Sequence, residues 1–360
     1  MFLQKDNFFK DLKVIELAGV LAGPAVGLFF AELGAEVIKI ENKKTGGDVT
    51  RTWKLPGENK HSGISAYFLA VNFYKKHLFL DLGKESDHKK CISHIKQADV
   101  VIVNYKKGDD KKLKLDYAAL KKINPKLIYA SITGFSAEDE RVAYDLIMQA
   151  ESGFMSMNGT EESGPLKMPV ALIDIIAAHH VKEAVLLALL KRSKTNKGSF
   201  VSVSLFDAAV SSLANQATNW LVAKHVPKRT GSLHPNIAPY GEIFTTKDRH
   251  TVTFAIGNDR QFKHLCEVLG LAKISSDKNF LTNQLRVKNR KKLFTLLNTE
   301  IKKQSFARLQ KACTKHQVPF AKVRNLKEVF ELPLARQLLR RIKANNKNYR
   351  AVSSVPFSIT

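Results

Sequence analysis

Cysteine is scarce in this 360-residue chain: Cys91, Cys266 and Cys313 are the only three. An odd number of thiols so far apart does not make a disulfide frame and suits a reducing cytoplasm. None stands in a metal-ligand pattern with a neighbouring His or Cys, so no zinc or other metal is expected. Long apolar runs are missing too, and none approaches the roughly 20 residues of a membrane span. The opening residues, Met1-Phe2-Leu3-Gln4-Lys5-Asp6, lack the basic-then-apolar order of a signal peptide. A cytoplasmic protein without membrane association is the expectation. Acidic residues are few beside basic ones: 33 Asp+Glu against 58 Lys+Arg leave a net charge of +25. Such a balance raises nucleic-acid binding as a reading. The lysine pairs, among them Lys43-Lys44, Lys75-Lys76 and Lys121-Lys122, are scattered along the chain, however, and no recognition module or aromatic-interleaved cluster accompanies them. A general lysine bias covers most of the excess, and the remainder suits a small anionic ligand. No specific nucleic-acid partner is expected.

What the chain does have is 44% apolar residues, enough for one large core or two smaller ones. Its first half alternates short apolar runs with helical patterns. Residues 13–17, 36–40, 77–82, 99–103 and 127–131 read as buried strands, with helices at 24–33, up to 97, and at 117–122. That order predicts an α/β fold, a parallel sheet wrapped by helices. Gly231, Pro235 and Pro239 mark a break, after which 242–244 and 251–255 read as strands and helical patterns run to about 310. This is the pattern of a second, smaller α+β domain. Gly19, Gly23 and Gly27 are spaced by four, which fits a helix-packing face and not the G-x-G-x-x-G fingerprint of a dinucleotide site.

The most informative residue is Asp174, a lone carboxylate between the apolar run 169–173 and a helical pattern over 175–192 that ends in basic residues. The pattern predicts Asp174 at the helix N-cap, facing unpaired N–H groups and the positive end of the dipole, a setting that favours the ionised form. A plain cap satisfies this pattern, and so does a carboxylate nucleophile.

The surrounding text carries a resemblance. Ala143-Tyr144-Asp145-Leu146-Ile147-Met148-Gln149-Ala150 lies upstream of Asp174, and Gly198-Ser199-Phe200-Val201-Ser202-Val203 downstream. Near the start, Ala22-Gly23-Pro24-Ala25 precedes Glu32-Leu33-Gly34-Ala35-Glu36-Val37-Ile38-Lys39-Ile40-Glu41. In this order, from about Leu12 to the last residues, the chain resembles the family III coenzyme A transferases. The resemblance implies a Rossmann-like large domain over 1–224, completed by a returning segment at 331–360. A smaller α+β domain at 225–330 is inserted between them, and two chains interlock as a homodimer. It implies a transferase that moves CoA from an acyl-CoA thioester to a carboxylic acid through an aspartyl covalent intermediate. Acyl-CoA is then a substrate, no cofactor is tightly bound, and a small dicarboxylate such as succinate or glutarate is the expected acceptor.

Residue by residue, the resemblance assigns the nucleophile to Asp174. Tyr144 stands where the racemase branch of the family carries a His, and a phenol is a poor base near neutrality, which favours transfer over racemisation. His179 and His180, further along the Asp174 helix, read as packing or surface residues. Gly231, Ser232 and His234 fall in the family's mobile active-site loop, here with a single glycine. Contacts to CoA are expected from Leu21 and Ala22 at a strand-to-helix turn, from Asn42 and Lys43 after the next strand, and from Lys75 and Lys112. At Asn42 and Lys112 formyl-CoA transferases carry arginine. Arg51 is expected to pair with Asp48. The alternatives are an α-methylacyl-CoA racemase-like enzyme and a non-enzymatic basic binding protein that keeps the fold.

Overall fold

The computed structural model describes residues 8–359. Their packing forms two compact units. One holds Lys167–Pro227 with the described residues up to Ser156 and from Leu334 onward; the other holds Met157–Leu166 and Lys228–Pro333.

The first unit is built on six parallel strands: β1 (Lys13–Glu16), β2 (Glu36–Asn42), β3 (Lys76–Leu80), β4 (Val100–Val103), β5 (Ile128–Thr133) and β6 (Ser199–Ser204). They lie in the order β3-β2-β1-β4-β5-β6. This is the doubly wound order, whose winding reverses between β1 and β4 and leaves a crevice at the carboxyl ends of the strands. Alternate side chains feed two cores. Val14, Val100, Ile102, Ile128 and Ala130 pack with the helices Ala22–Glu32 and Leu172–Thr195. Ile15, Val101, Val103 and Tyr129 pack on the opposite face. Because both faces are covered, β4 reads Val-Val-Ile-Val with no polar alternation. The first five strands fall within two residues of the sequence reading; β6 was missing from it.

The C-terminal segment belongs to this unit. After the hairpin β10 (Leu339–Ala344) and β11 (Lys347–Val352), Ser353 and Ser354 bind the buried Glu32 carboxylate at the end of the first helix. Ser353 Oγ donates to Oε1 at 2.8 Å, and Ser354 N and Oγ both donate to Oε2 at 2.6 Å.

The second unit carries an antiparallel sheet, β7 (Tyr240–Thr245), β8 (Thr251–Ala255) and β9 (Phe320–Lys322), in the order β9-β8-β7. Helices Asp259–Val268, Arg290–Ile301 and Phe306–Lys315 cover it around a core of Phe244, Phe254, Phe262, Leu265 and Leu297. Met157–Leu166, with its short ladder of Gly159–Thr160 against Gly164–Pro165, packs with this unit, which the sequence pattern did not suggest.

Candidate active site

The turn that follows β1 is the first part of the site. Val20 has φ 70°, a left-handed backbone that a β-branched residue adopts only when its surroundings enforce it. They do so from both sides. Asn104 accepts from Gly19 N at 3.0 Å and donates to Gly19 O at 2.9 Å, while Val20 N donates to Asp48 Oδ2 at 3.1 Å. Beneath the turn lies a buried chain of charges. Lys39 pairs with Glu16 at 2.9 Å and Asp48 at 3.0 Å, and Lys75 pairs with Glu16 at 2.8 Å. Burial opposes ionisation of Glu16, but the two ammonium groups outweigh it and hold the carboxyl below the usual range. Gly27 is required here, since a Cβ at that position would collide with the Glu16 carboxylate.

This network corrects the expectation for Lys75. Its side chain is wholly buried, and its three donors go to Glu16, Pro24 O (2.8 Å) and Asn72 Oδ1 (3.1 Å), leaving none for a ligand. Arg51 is also placed differently. It grips Glu41 bidentately, Nε to Oε2 at 2.7 Å and Nη2 to Oε1 at 2.6 Å, because Asp48 is already committed to Lys39 and Val20.

Asp174 is the second part. The helix Leu172–Thr195 starts one turn earlier than the pattern suggested, with Ala171 at the N-cap, so Asp174 lies inside the first turn. The missing cap is supplied from elsewhere: Ile173 N donates to Asp145 Oδ1 at 2.8 Å. Asp174 is 8% exposed and, among the described residues, accepts no hydrogen bond and forms no ion pair. Burial, with the neighbouring Asp145 charge added, pushes its carboxyl up to about 7. The sequence reading had the sign reversed; desolvation and a like charge outweigh the helix dipole here. Tyr67, absent from the sequence reading, faces the same cluster. Burial, then the charges of Asp174, Asp145 and Asp48, push its phenol up to about 12. Trp53 packs edge-on against it, with ring centroids 5.0 Å apart.

The third part is a crevice of about 310 Å³ at the carboxyl ends of β1, β2 and β3, with apolar walls from Leu17, Ile40, Leu80, Tyr105 and Leu113. Asn42 and Lys44 also line it, and Lys44 pairs with Asp81 at 3.2 Å. A larger cleft of about 500 Å³, lined by Lys96, Asp99, Lys126 and Arg192, lies at the opposite, amino ends of the strands. Sheet topology favours the smaller one as the ligand site.

The remaining expected residues divide by location. Leu21 and the buried Ala22 form the end of the strained turn and the start of the first helix. Asn42 caps the short turn Lys43–Thr45 by accepting from Lys44 N at 2.9 Å, and Lys43 is exposed. Lys112 is 78% exposed, pairs with Asp109 at 3.3 Å, and adjoins Leu113 of the crevice. Tyr144 is 51% exposed at the start of the helix Asp145–Glu151. His179 is exposed and His180 pairs with Glu183 at 3.2 Å. Gly231, Ser232 and His234 belong to the second unit. Gly231 has φ 64° and donates to Gly159 O at 2.7 Å. Ser232 Oγ donates to Gly241 O at 2.6 Å, and the His234 ring packs on Tyr240 with centroids 5.1 Å apart. Among the described residues no group of His, Cys, Asp and Glu could hold a metal ion, and no helix is long and apolar enough to cross a membrane.

Comparison with known proteins supplies the family. The pattern of CoA-transferase family III matches residues 9–359. Succinate–glutarate CoA-transferase of Agrobacterium fabrum is 38% identical over 89% of this chain and 81% of its own length. Human succinyl-CoA:glutarate CoA-transferase is 34% identical over 90% of this chain and 73% of its own. The crystal structure of a CAIB/BAIF family protein from Brucella suis superposes with a TM-score of 0.84 at 37% identity, covering 97% of this chain and 92% of that one. Fold, sequence pattern and relatives agree: the chain belongs to CoA-transferase family III.

Proposed function

We propose that Asp174 is the nucleophile of a CoA transfer. The transfer itself, from an acyl-CoA thioester to a carboxylic acid, is the activity of the family. What carries the assignment is a nearly buried carboxylate with no hydrogen-bonding partner among the described residues. Stripped of water and of donors, it is more basic and a better attacking group than a solvated carboxylate. In the proposed sequence a carboxylate oxygen attacks the thioester carbonyl. The C–S bond breaks, CoA leaves as thiolate, and a mixed anhydride remains on Asp174. The thiolate attacks the aspartyl carbon and expels the donor acid, leaving an aspartyl-CoA thioester. The acceptor carboxylate attacks that thioester, a second anhydride forms with release of thiolate, and thiolate attack on the acceptor's acyl carbon restores Asp174. One thioester replaces another, so the bond energies balance without an external energy source.

The crevice by Leu17, Tyr105 and Leu113 is proposed to take the adenosine end of CoA: its apolar walls suit a base and the lysines nearby suit phosphate. Leu21 and Ala22 then line the pantetheine path, Lys43 and Lys112 stand near the phosphates, and Tyr144 meets the acyl end. Gly231, Ser232 and His234 form the active-site loop of an inserted second domain. The acceptor is proposed to be a small dicarboxylate, in keeping with the names of the relatives. Two chains are proposed to interlock. Leu187 (67% exposed) and Leu190 (56%) on the Asp174 helix, and Val222 (81%) on the helix Ala214–Ala223, are apolar side chains that a second copy would cover. A cytoplasmic location is in keeping with three buried, unpaired cysteines.

The deciding experiment incubates acyl-CoA donors with a panel of carboxylic acids and reads CoA esters by mass, with Asp174→Asn and Asp174→Ala alongside. Transfer to a dicarboxylate that both variants abolish is the expected result. Undiminished transfer in both variants would refute the assignment.

A further inference from the structure

We propose that Asp145, held by Gln149, is a positioning residue for the Asp174 carboxylate. The inference rests on Asp174 being the nucleophile and adds what holds it in place. A helix whose N-cap is Ala171 has no side-chain cap of its own. Asp145 fills that place from a different helix, Asp145–Glu151, by accepting from Ile173 N at 2.8 Å, one residue before Asp174. Its other oxygen accepts from Gln149 Nε2 at 2.6 Å, and Gln149 Oε1 accepts from Met168 N at 2.7 Å. Gln149 is fully buried, so without these two bonds its amide would be left unsatisfied away from water. Two side chains one helical turn apart thus fix both ends of 168–173, the segment that delivers Asp174 to its helix. A nucleophile misplaced by about 1 Å loses rate steeply, and a substrate-free carboxylate without partners cannot hold its own position.

Asp145 does more than hold the segment. Its carboxyl group also neighbours a carboxylate that has to ionise before it can attack. Among the described residues Tyr67 also interacts with Asp174; its phenol is pushed up to about 12 by burial and then by the charges of Asp174, Asp145 and Asp48. Asp145 is therefore the charge that supplements burial in keeping Asp174 basic.

The test compares intact protein carrying Asp145→Asn, Asp145→Glu or Gln149→Met with wild type and Asp174→Asn, following CoA transfer from pH 5 to 9 with melting curves as the fold control. Asp145→Asn keeps an oxygen for Ile173 N but loses the charge and the acceptor for Gln149 Nε2, so the acid limb of kcat/KM is expected to move down by roughly one pH unit while kcat falls as in Gln149→Met. Asp145→Glu keeps the charge but displaces the cap. It and Gln149→Met are expected to lower kcat by roughly tenfold or more, with KM for the thioester and the acid limb little changed. If Asp145→Asn does not fold, Gln149→Met still decides the matter, since wild-type kcat in that variant would overturn the inference. Inactive Asp174→Asn together with Asp145→Asn at wild-type rate and acid limb would overturn this inference alone. An active Asp174→Asn, or a wild type that moves no CoA, would overturn the nucleophile assignment and this inference with it.

Discussion

The basicity of Asp174 makes a prediction about stability as well as activity. Its carboxyl titrates near 3.8 in an unfolded chain and at about 7 in the fold. Three pH units at about 1.4 kcal/mol each correspond to about 4 kcal/mol. The folded state prefers the neutral acid. Its favourable contribution is fully present below pH 3.8 and is lost progressively as the pH rises through about 7. Above pH 7 the protein carries an ionised, nearly unsolvated carboxylate. Asp174→Asn replaces it with a neutral group of the same shape. The variant is therefore expected to be inactive and, at pH 8, more stable than wild type by about 4 kcal/mol, with a melting temperature higher by on the order of 10 °C. At pH 4 the two proteins should melt together. Differential scanning calorimetry of both, free of ligand, from pH 4 to 8.5 makes the comparison. Equal stabilities at pH 8, or a gap that fails to close on acidification, would show that Asp174 is solvated or paired in solution and would remove the desolvated-nucleophile argument.

Three further outcomes are expected. Glu16→Gln leaves Lys39 and Lys75 without their shared buried counterion and should cost about 3–5 kcal/mol in urea unfolding; a smaller loss would mean that water reaches the network. Lys182 is buried, with its ammonium 5.3 Å from the Phe29 ring, and burial pushes it down to about 8 against the pull of Glu32. A lysine lowered from 10.5 binds fewer protons folded than unfolded between pH 8 and 10.5. Lys182→Met should therefore stabilise the protein by about 3 kcal/mol at pH 7 and by progressively less towards pH 10.5; a gain that does not shrink with pH would refute this origin. Leu113→Arg, on the wall of the crevice, should raise KM for acyl-CoA roughly tenfold with little change in kcat, and an unchanged KM would move the adenosine end elsewhere.

Much of the first unit was legible because a sheet covered on both faces writes its strands as apolar runs such as Val100–Val103, bounded by polar turns. β6 was harder to read, since Ser-Phe-Val-Ser-Val-Ser mixes serines into the strand. Asp174 was found, but its setting was misread. Helix pattern places a carboxylate near a helix start, whereas the true cap, Asp145, lies 28 residues before Ile173, whose N–H it accepts. Lys75 was misread for the same reason. Nothing local marks Glu16, 59 residues earlier, as its partner, and composition rules place lysine on the surface. Tyr67 meets Asp174 and Asp145, and Leu17, Tyr105 and Leu113 meet at the crevice, from separate strand ends and helices, so each set converges only once the sheet is wound. Local periodicity finds elements; convergence of side chains from several elements is a property of topology.

Val20 has an implication for anyone breeding a hardier form of this enzyme. A β-branched residue held at φ 70° costs the fold about 1–2 kcal/mol that glycine would not. A selection for heat resistance alone should accordingly discover Val20→Gly early. The same replacement frees the loop to sample other shapes, so survivors of such a screen should bind thioester more weakly. Libraries meant to preserve turnover are best drawn with that codon held fixed.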